Sequence, residues 1–335
     1  MRIARVARLA PLPAAAALAL LISGCNGTSS TPSSSMSMNI GYTAIGAAYS
    51  DLYVCQDRGV FKKNGLHVKL TLLNSSSQLA AALVSNSVQV GAGAARTTAQ
   101  GIMKGLDLKY VALPISHYYL EMWGKPSISS VDDLKGQKIG LSSPGSLGDA
   151  SLDALLEQKG WSGSDVKKTF LKSTPAEVTA LENGAVSAIV TQPPTGTQTR
   201  SKGFKKIMDF TKFPAAANAY TVKGDYLAKN KKAVAAFVKS EAECLSILHR
   251  DKSAAIASII KHSGNSDRSL AEYSYDFFEP LWAKTPSVAP QLIDDAFTQA
   301  VATSGGKKPA DPAKYVDNSF VDSLVKSGYI AGLYK

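Results

Sequence analysis

Three cysteines in 335 residues, Cys25, Cys55 and Cys244, are too few and too scattered for a disulfide scaffold or a cysteine-based zinc module. The four histidines, at 67, 117, 249 and 262, show no ligand-like spacing, so no metal site is expected. G-x-S-x-G, H-E-x-x-H, C-x-x-C and Walker phosphate loops are absent, which removes the local signatures of several enzyme classes. Gly91-Ala92-Gly93 opens like a dinucleotide fingerprint, but its third glycine would fall on Arg96, so no nucleotide cofactor is implied and none of another kind is expected. Lys and Arg outnumber Asp and Glu, 37 to 26, yet no arginine-rich run or interleaved aromatic stripe accompanies the excess. A nucleic-acid partner is therefore not expected. No short solenoid repeat recurs.

The N-terminus supplies the chain's most readable feature. Residues 1–24 combine Arg2, Arg5 and Arg8 with an apolar stretch over 9–22, the pattern of a removable signal peptide. Taking those three arginines away leaves 34 basic against 26 acidic residues, a charge of +8. Ile22-Ser23-Gly24-Cys25 resembles a bacterial lipobox, which makes Cys25 the lipidation site and new N-terminus. No later stretch is apolar enough to span a bilayer, so the expected protein is extracytoplasmic and held at the cell membrane by acyl chains alone. Residues 25–37, rich in Ser and Thr, read as a disordered tether reaching at most ~40 Å.

From residue 39 the pattern alternates. Residues 39–43 read as a strand and Tyr49, Leu52 and Tyr53 as a helix ending at Gly59; 60–66 follows as a turn. Val68, Leu70 and Leu72 share one face of a half-buried strand. Leu79, Leu83 and Val84 mark a helix, Val88 and Val90 a strand, 98–104 a helix and 109–113 a strand. This β-α-β-α-β-α-β order predicts an α/β lobe with a largely parallel sheet. A second such unit runs from about 120 to 213, and after Pro214 the chain is mostly helical, with helices over 290–303 and 319–326 each followed by glycine.

The second unit opens on a strand, a loop at Ser142-Ser143-Pro144-Gly145-Ser146, and a helix carrying Leu152, Leu155 and Leu156. A helix start leaves N–H groups unpaired and carries partial positive charge, so this loop suits an anion; a plain Ser146 cap with a Gly145 turn is the structural alternative. Cys55 shares an apolar helix face with Ala48 and Leu52, which favours a buried free thiol, while a disulfide to Cys244 is allowed outside the cytoplasm.

Several stretches resemble the substrate-binding proteins of ABC importers for nitrate, sulfonates, taurine and thiamine-pyrimidine precursors. Gln56-Asp57-Arg58-Gly59-Val60-Phe61-Lys62-Lys63-Asn64-Gly65-Leu66 is similar to that family's "K-G-x-F-K-K-x-G-L" element. Ala82-Leu83-Val84-Ser85-Asn86-Ser87-Val88-Gln89-Val90-Gly91 is similar to "A-L-x-S-G-x-V-D-V-G", and Asp133-Leu134-Lys135-Gly136-Gln137-Lys138-Ile139-Gly140 to "D-L-K-G-K-x-V-G". Gln89 and Ser187 stand where the family commonly has Asp, and Thr191-Gln192-Pro193-Pro194 is unusual.

The resemblance implies an α/β, two-lobed type II periplasmic-binding-protein fold with two crossover hinge strands, near 116–121 and 216–222. Lobe 1 would comprise 38–119 and 216–335, and lobe 2 120–215. It implies a monomeric solute-binding protein, not an enzyme, that delivers a small organic anion such as a sulfonate, taurine or nitrate to an importer permease. Ligands of such sheets bind beyond the carboxyl ends of the strands. The candidate contacts are therefore Tyr49, Ser50, Ser76, Ser77, Gly93, Ala94, Arg96, His117, Ser142, Gly145, Ser146, Gln192 and Pro193. Tyr49, Tyr118, Tyr119 and Trp123 keep open a pyrimidine or other heterocycle, if they are not core. Two other classes remain, a pyrimidine-precursor-synthase-like enzyme and a non-transport sensor or adhesin on the same fold.

Overall fold

A computed structural model describes residues 36–73 and 75–335. The leader, Cys25 and the tether up to residue 35 lie outside the described residues. Met36 and Ser37, assigned to the tether from sequence, instead begin the first strand.

The first lobe starts with β1 (Met36–Tyr42), α1 (Ser50–Asp57), α2 (Val60–Lys63), β2 (Leu66–Leu72), α3 (Ser76–Val84), β3 (Val90–Gly93), α4 (Ala95–Met103) and β4 (Leu108–His117). Residues 60–66, expected as a turn, thus hold the short helix α2, because Val60 and Phe61 are buried beneath it. The second lobe holds β5 (Glu121–Gly124), β6 (Lys138–Leu141), α5 (Leu147–Gln158), β7 (Lys167–Phe170), α6 (Thr174–Glu182), β8 (Ala188–Thr191), α7 (Thr195–Gln198) and β9 (Lys205–Asp209). The chain then returns through β10 (Pro214–Lys223) to α8 (Gly224–Lys229), α9 (Lys231–Arg250), α10 (Lys252–Ser263), α11 (Arg268–Phe278), α12 (Pro290–Ser304), α13 (Ser319–Lys326) and α14 (Tyr329–Leu333).

Two five-stranded sheets result, ordered β2-β1-β3-β10-β4 and β7-β6-β8-β5-β9. In each, three strands run parallel, and a strand from elsewhere in the chain pairs antiparallel with the third: β10 with β3, and β5 with β8. The architecture is the two-lobed periplasmic-binding-protein fold. The chain crosses between the sheets at residues 118–120 and 210–213, and the crossings bond to each other: Tyr118 N donates to the Phe213 carbonyl (3.0 Å) and Phe210 N to that of Leu120 (2.9 Å). Residues 216–222 were expected to form the second crossing. They lie inside β10 instead, because Ala216, Ala217, Ala219, Tyr220 and Val222 are all buried in the first lobe.

Close packing fixes where the strand ends point. Gly41 and Gly91 are register partners on β1 and β3, and a Cβ at either would fall 2.7–2.8 Å from leucine methyls: Leu73 at Gly41, Leu83 at Gly91. The missing side chains let α3 lie directly on the sheet. On the other side, α9 buries Val234, Phe237, Val238, Leu245 and Leu248, each burial stabilising the fold by about 1.5–3 kcal/mol.

Cys55 on α1 and Cys244 on α9 form a disulfide, their Cα atoms 5.4 Å apart. This overturns the free-thiol expectation: Cys55 does sit on the apolar face of α1, but that face packs on α9. Among the described residues no helix is long and apolar enough to cross a membrane.

Candidate functional site

The carboxyl ends of β1, β2, β3, β6, β7 and β8 converge on a cavity of about 670 Å³ between the two lobes. The first lobe lines it with residues 43–46, Tyr49, Ser75, Ser76, Ala94 and Tyr119; the second with 142–143, 146–148, 172–175, Glu177, 190–192, Pro194 and Thr195. Ser263 and Asn265, beyond α10, complete the rim.

Besides the short α7, four helices begin at this wall. Ser75 caps α3 by accepting from Gln78 N (3.2 Å), Ser146 caps α5 by accepting from Asp149 N (3.3 Å), and Ser173 caps α6 by accepting from Ala176 N (3.4 Å). Each hydroxyl uses a lone pair for the cap and keeps its proton to donate elsewhere. Helix α4 has no side-chain cap on Ala94, so its first N–H groups remain open. Four positive helix ends around one cavity make it a site for negative charge without an arginine. Tyr49 and Tyr119 add hydroxyls, and Tyr49 OH lies 2.7 Å from Thr43 Oγ1. Burial raises both phenols above their ordinary range, so they stay neutral and act only through hydrogen bonds.

Of the sequence candidates, the wall includes Tyr49, Ser76, Ala94, Ser142, Ser146 and Gln192. The rest lie off it. Ser77 is exposed one residue further into α3. Ser50 is fully buried behind Tyr49 in the chain, and Gly93 packs on Leu79, whose methyl would lie 3.0 Å from a Cβ there. His117 ends β4 with its Nδ1 3.3 Å from Ser116 Oγ, and Pro193 is buried between two wall positions. Of the aromatics, Tyr118 donates to Gln299 (3.2 Å) and Trp123 to Glu121 (2.9 Å), both outside the wall.

Arg96 and Gly145 have a different role. Arg96 is 2 % exposed and reaches from α4 to α5, donating to Asp149 (2.6 Å) and Asp153 (3.0 Å). Lys168 on β7 holds the same two carboxylates from within the second lobe. Arg96 is therefore a buried tie between α4 and α5, off the wall where the sequence placed it as a ligand contact. Gly145 N donates to Asp149 (2.8 Å), and its carbonyl accepts from the Thr97 hydroxyl (3.2 Å). A third tie crosses the cavity mouth, where Gln192 Nε2 donates to the Ile45 carbonyl (2.8 Å). A Cβ on Gly46 would lie 2.4 Å from that same nitrogen, so this approach needs glycine.

Sequence reading missed Thr43, the 172–175 loop and Glu177. Ser173-Thr174-Pro175 carried the same cap-and-helix signal as Ser146 and could have been found by it. Glu177 is 2 % exposed, and burial alone holds its carboxyl well above the usual carboxylate range.

A family model described as NMT1/THI5 like matches residues 47–251. The chain belongs to the NMT1/THI5-like family. That match takes in the second lobe and the first-lobe cavity residues from Tyr49 to Tyr119, but not Ser263 and Asn265. No curated protein matches the chain. Among solved structures, the alkanesulfonate-binding protein SsuA from Xanthomonas axonopodis pv. citri, bound to MOPS, is similar at a TM-score of 0.71 and 18% identity, covering 84% of this chain and 98% of its own. The periplasmic aliphatic sulphonate binding protein SsuA from Escherichia coli gives 0.70 and 19%, covering 86% and 99%. The desulfurization enzyme DszB gives 0.63 and 14%, covering 87% and 99%. At these identities the likeness establishes the fold of this NMT1/THI5-like chain and nothing finer.

Proposed function

We propose that the protein is the extracytoplasmic solute-binding component of an ABC importer, carrying a small organic anion to its permease. The observation behind this reading is the interlobe cavity, on which four helix N-termini and three capping serines converge. A donor-rich, cationic-dipole wall matches a sulfonate or carboxylate head, and the solved SsuA structures extend the same fold to sulfonate binders. Hinge closure over residues 118–120 and 210–213 buries such a ligand without remaking either core. Among the described residues no cysteine or histidine lines the cavity.

A thermal-shift panel of alkanesulfonates, taurine, nitrate, carboxylates and pyrimidines tests the reading. A ligand at ~100 times its dissociation constant adds about 2.7 kcal/mol of stability. Anions are expected to raise the melting temperature and pyrimidines to leave it unchanged. Ser146→Asp keeps an acceptable cap but sets a negative charge on the wall, and should weaken the anionic hit by about tenfold or more. Unchanged affinity in a folded variant removes the α5 start from the site.

The protein works as a monomer held at the membrane by lipid on Cys25. The disulfide supports the compartment, because such bonds persist outside the reducing cytoplasm. Cys25→Ala should move the protein from the membrane to the soluble fraction on cell fractionation; retention at the membrane refutes the anchor.

A further inference from the structure

One group on the wall is used neither by the fold nor by the anion-directed helix ends. Glu177 faces the cavity from the first turns of α6, 2 % exposed, and its Oε2 has no hydrogen-bond partner. No neighbouring charge or hydrogen bond acts on its carboxyl among the described residues, although Lys172 lines the same cavity. Its position along the helix accounts for this. In a capping box the acidic residue stands third in the helix and reaches back to the cap N–H. Ser173 is the cap and Ala176 occupies that third position, so Glu177 falls one residue too late for the reciprocal contact. Thr191, 3 % exposed at the end of β8, also presents to this wall a hydroxyl without a partner. Buried polar groups are almost always matched, and a ligand that fills the cleft can match these two.

The charge pattern says what that is. Donors already crowd the wall: serine hydroxyls, tyrosine hydroxyls and the open N–H groups of α4. An anionic head needs nothing from Glu177, whereas the buried Glu177 carboxyl has an oxygen without a partner, and an ammonium beside it would favour the ionised form. Among the described residues Glu177 is the only acidic one lining the cavity, so one donor group on the ligand fixes which way round the ligand lies. We propose that the ligand is an amine-bearing organic anion, its acidic head against the helix N-termini and its ammonium donating to the Glu177 carboxylate. This rests on the anion-binding reading above and narrows it to zwitterions. Bringing the ammonium and the carboxylate together neutralises both inside the closed cavity, and such charge-assisted bonds are the strong ones.

Two ligand pairs that differ only in the amine test it: taurine against ethanesulfonate, and β-alanine against propionate, titrated calorimetrically into wild-type protein and Glu177→Gln. The amine-bearing member of at least one pair is expected to bind wild type tighter by about tenfold or more. Glu177→Gln should abolish that preference by weakening the zwitterion while leaving its amine-free partner unchanged. Equal binding of both members of the pairs, a preference that survives Glu177→Gln, or an amine-free anion as the only hit in the wider panel overturns the inference and leaves the anion reading standing. If no anion binds at all, both fall.

Discussion

Arg96→Ala is expected to weaken ligand binding by about a hundredfold while leaving each lobe folded. In the structure the guanidinium is buried between α4 and α5 and satisfies Asp149 and Asp153 from across the cleft. Removing one partner of a buried, hydrogen-bonded ion pair costs about 3–5 kcal/mol, because the remaining charge is left desolvated. Lys168 still holds both carboxylates in the variant, which puts the effect at the low end of that range. The loss falls on the closed arrangement: with the lobes apart, Arg96 is hydrated and Asp149 keeps Lys168. A loss of about 3 kcal/mol in the closed state alone reads as roughly a hundredfold in affinity. Titration calorimetry with the hit from the anion panel measures it, and small-angle scattering of the ligand-free variant should show a more extended particle. Affinity within threefold of wild type would mean that the α4–α5 contact does not contribute to closure. Arg96→Lys should recover only part of the loss, because an ammonium cannot bond two carboxylates in the planar geometry of a guanidinium.

Replacing Cys55 and Cys244 together by Ala is expected to lower the melting temperature by on the order of 5–10 °C and to leave ligand affinity unchanged. The bond joins positions 189 residues apart. In the chain-entropy account a closed loop of that size stabilises by about 5 kcal/mol, and measured disulfides more often give 2–4 kcal/mol. At roughly 2–4 °C per kcal/mol for a chain of somewhat smaller size, about 3 kcal/mol produces the stated shift. Both cysteines belong to the first lobe, away from the cavity wall, so the affinity readout separates a staple from a binding role. Calorimetric melting of the variant, and of wild type with and without reductant, provides the comparison. A melting temperature within about a degree of wild type would show the bond to be energetically idle.

The alternation of strands and helices was legible because each element carries its own period: Val68, Leu70 and Leu72 at every second position of β2, and the spaced apolar residues of α9 and α12. Elements without a period were not. β5 is four residues, Glu121–Gly124, all buried, and β9 is a polar edge of Lys and Asp around Ile207 and Met208. The site divides the same way. Ser142 and Ser146 could be proposed from sequence because strand, serine loop and helix are contiguous there. Arg96 could not be assigned, since its partner Asp149 is 53 residues away in the other lobe and only the fold brings them to 2.6 Å. Cys55 and Cys244 are separated still further. Glu177 looks like any surface glutamate on a helix until burial shows which way it faces.

The place of β10 has a consequence for the order in which this chain can assemble. It lies between β3 and β4, yet it is made only after the whole of the second lobe. Every strand of the second sheet comes from the single stretch 121–209, so that lobe can pair its strands using nearby chain. The first sheet cannot be completed until Lys223 has arrived, and α9, which covers it, is later still. Non-local pairing of this kind is the slow part of folding, because a long loop must close before any contact rewards it. The larger, disulfide-bonded lobe is therefore the one that must wait, with β3 and β4 left as open edges, while the smaller lobe that follows them in the chain can form first.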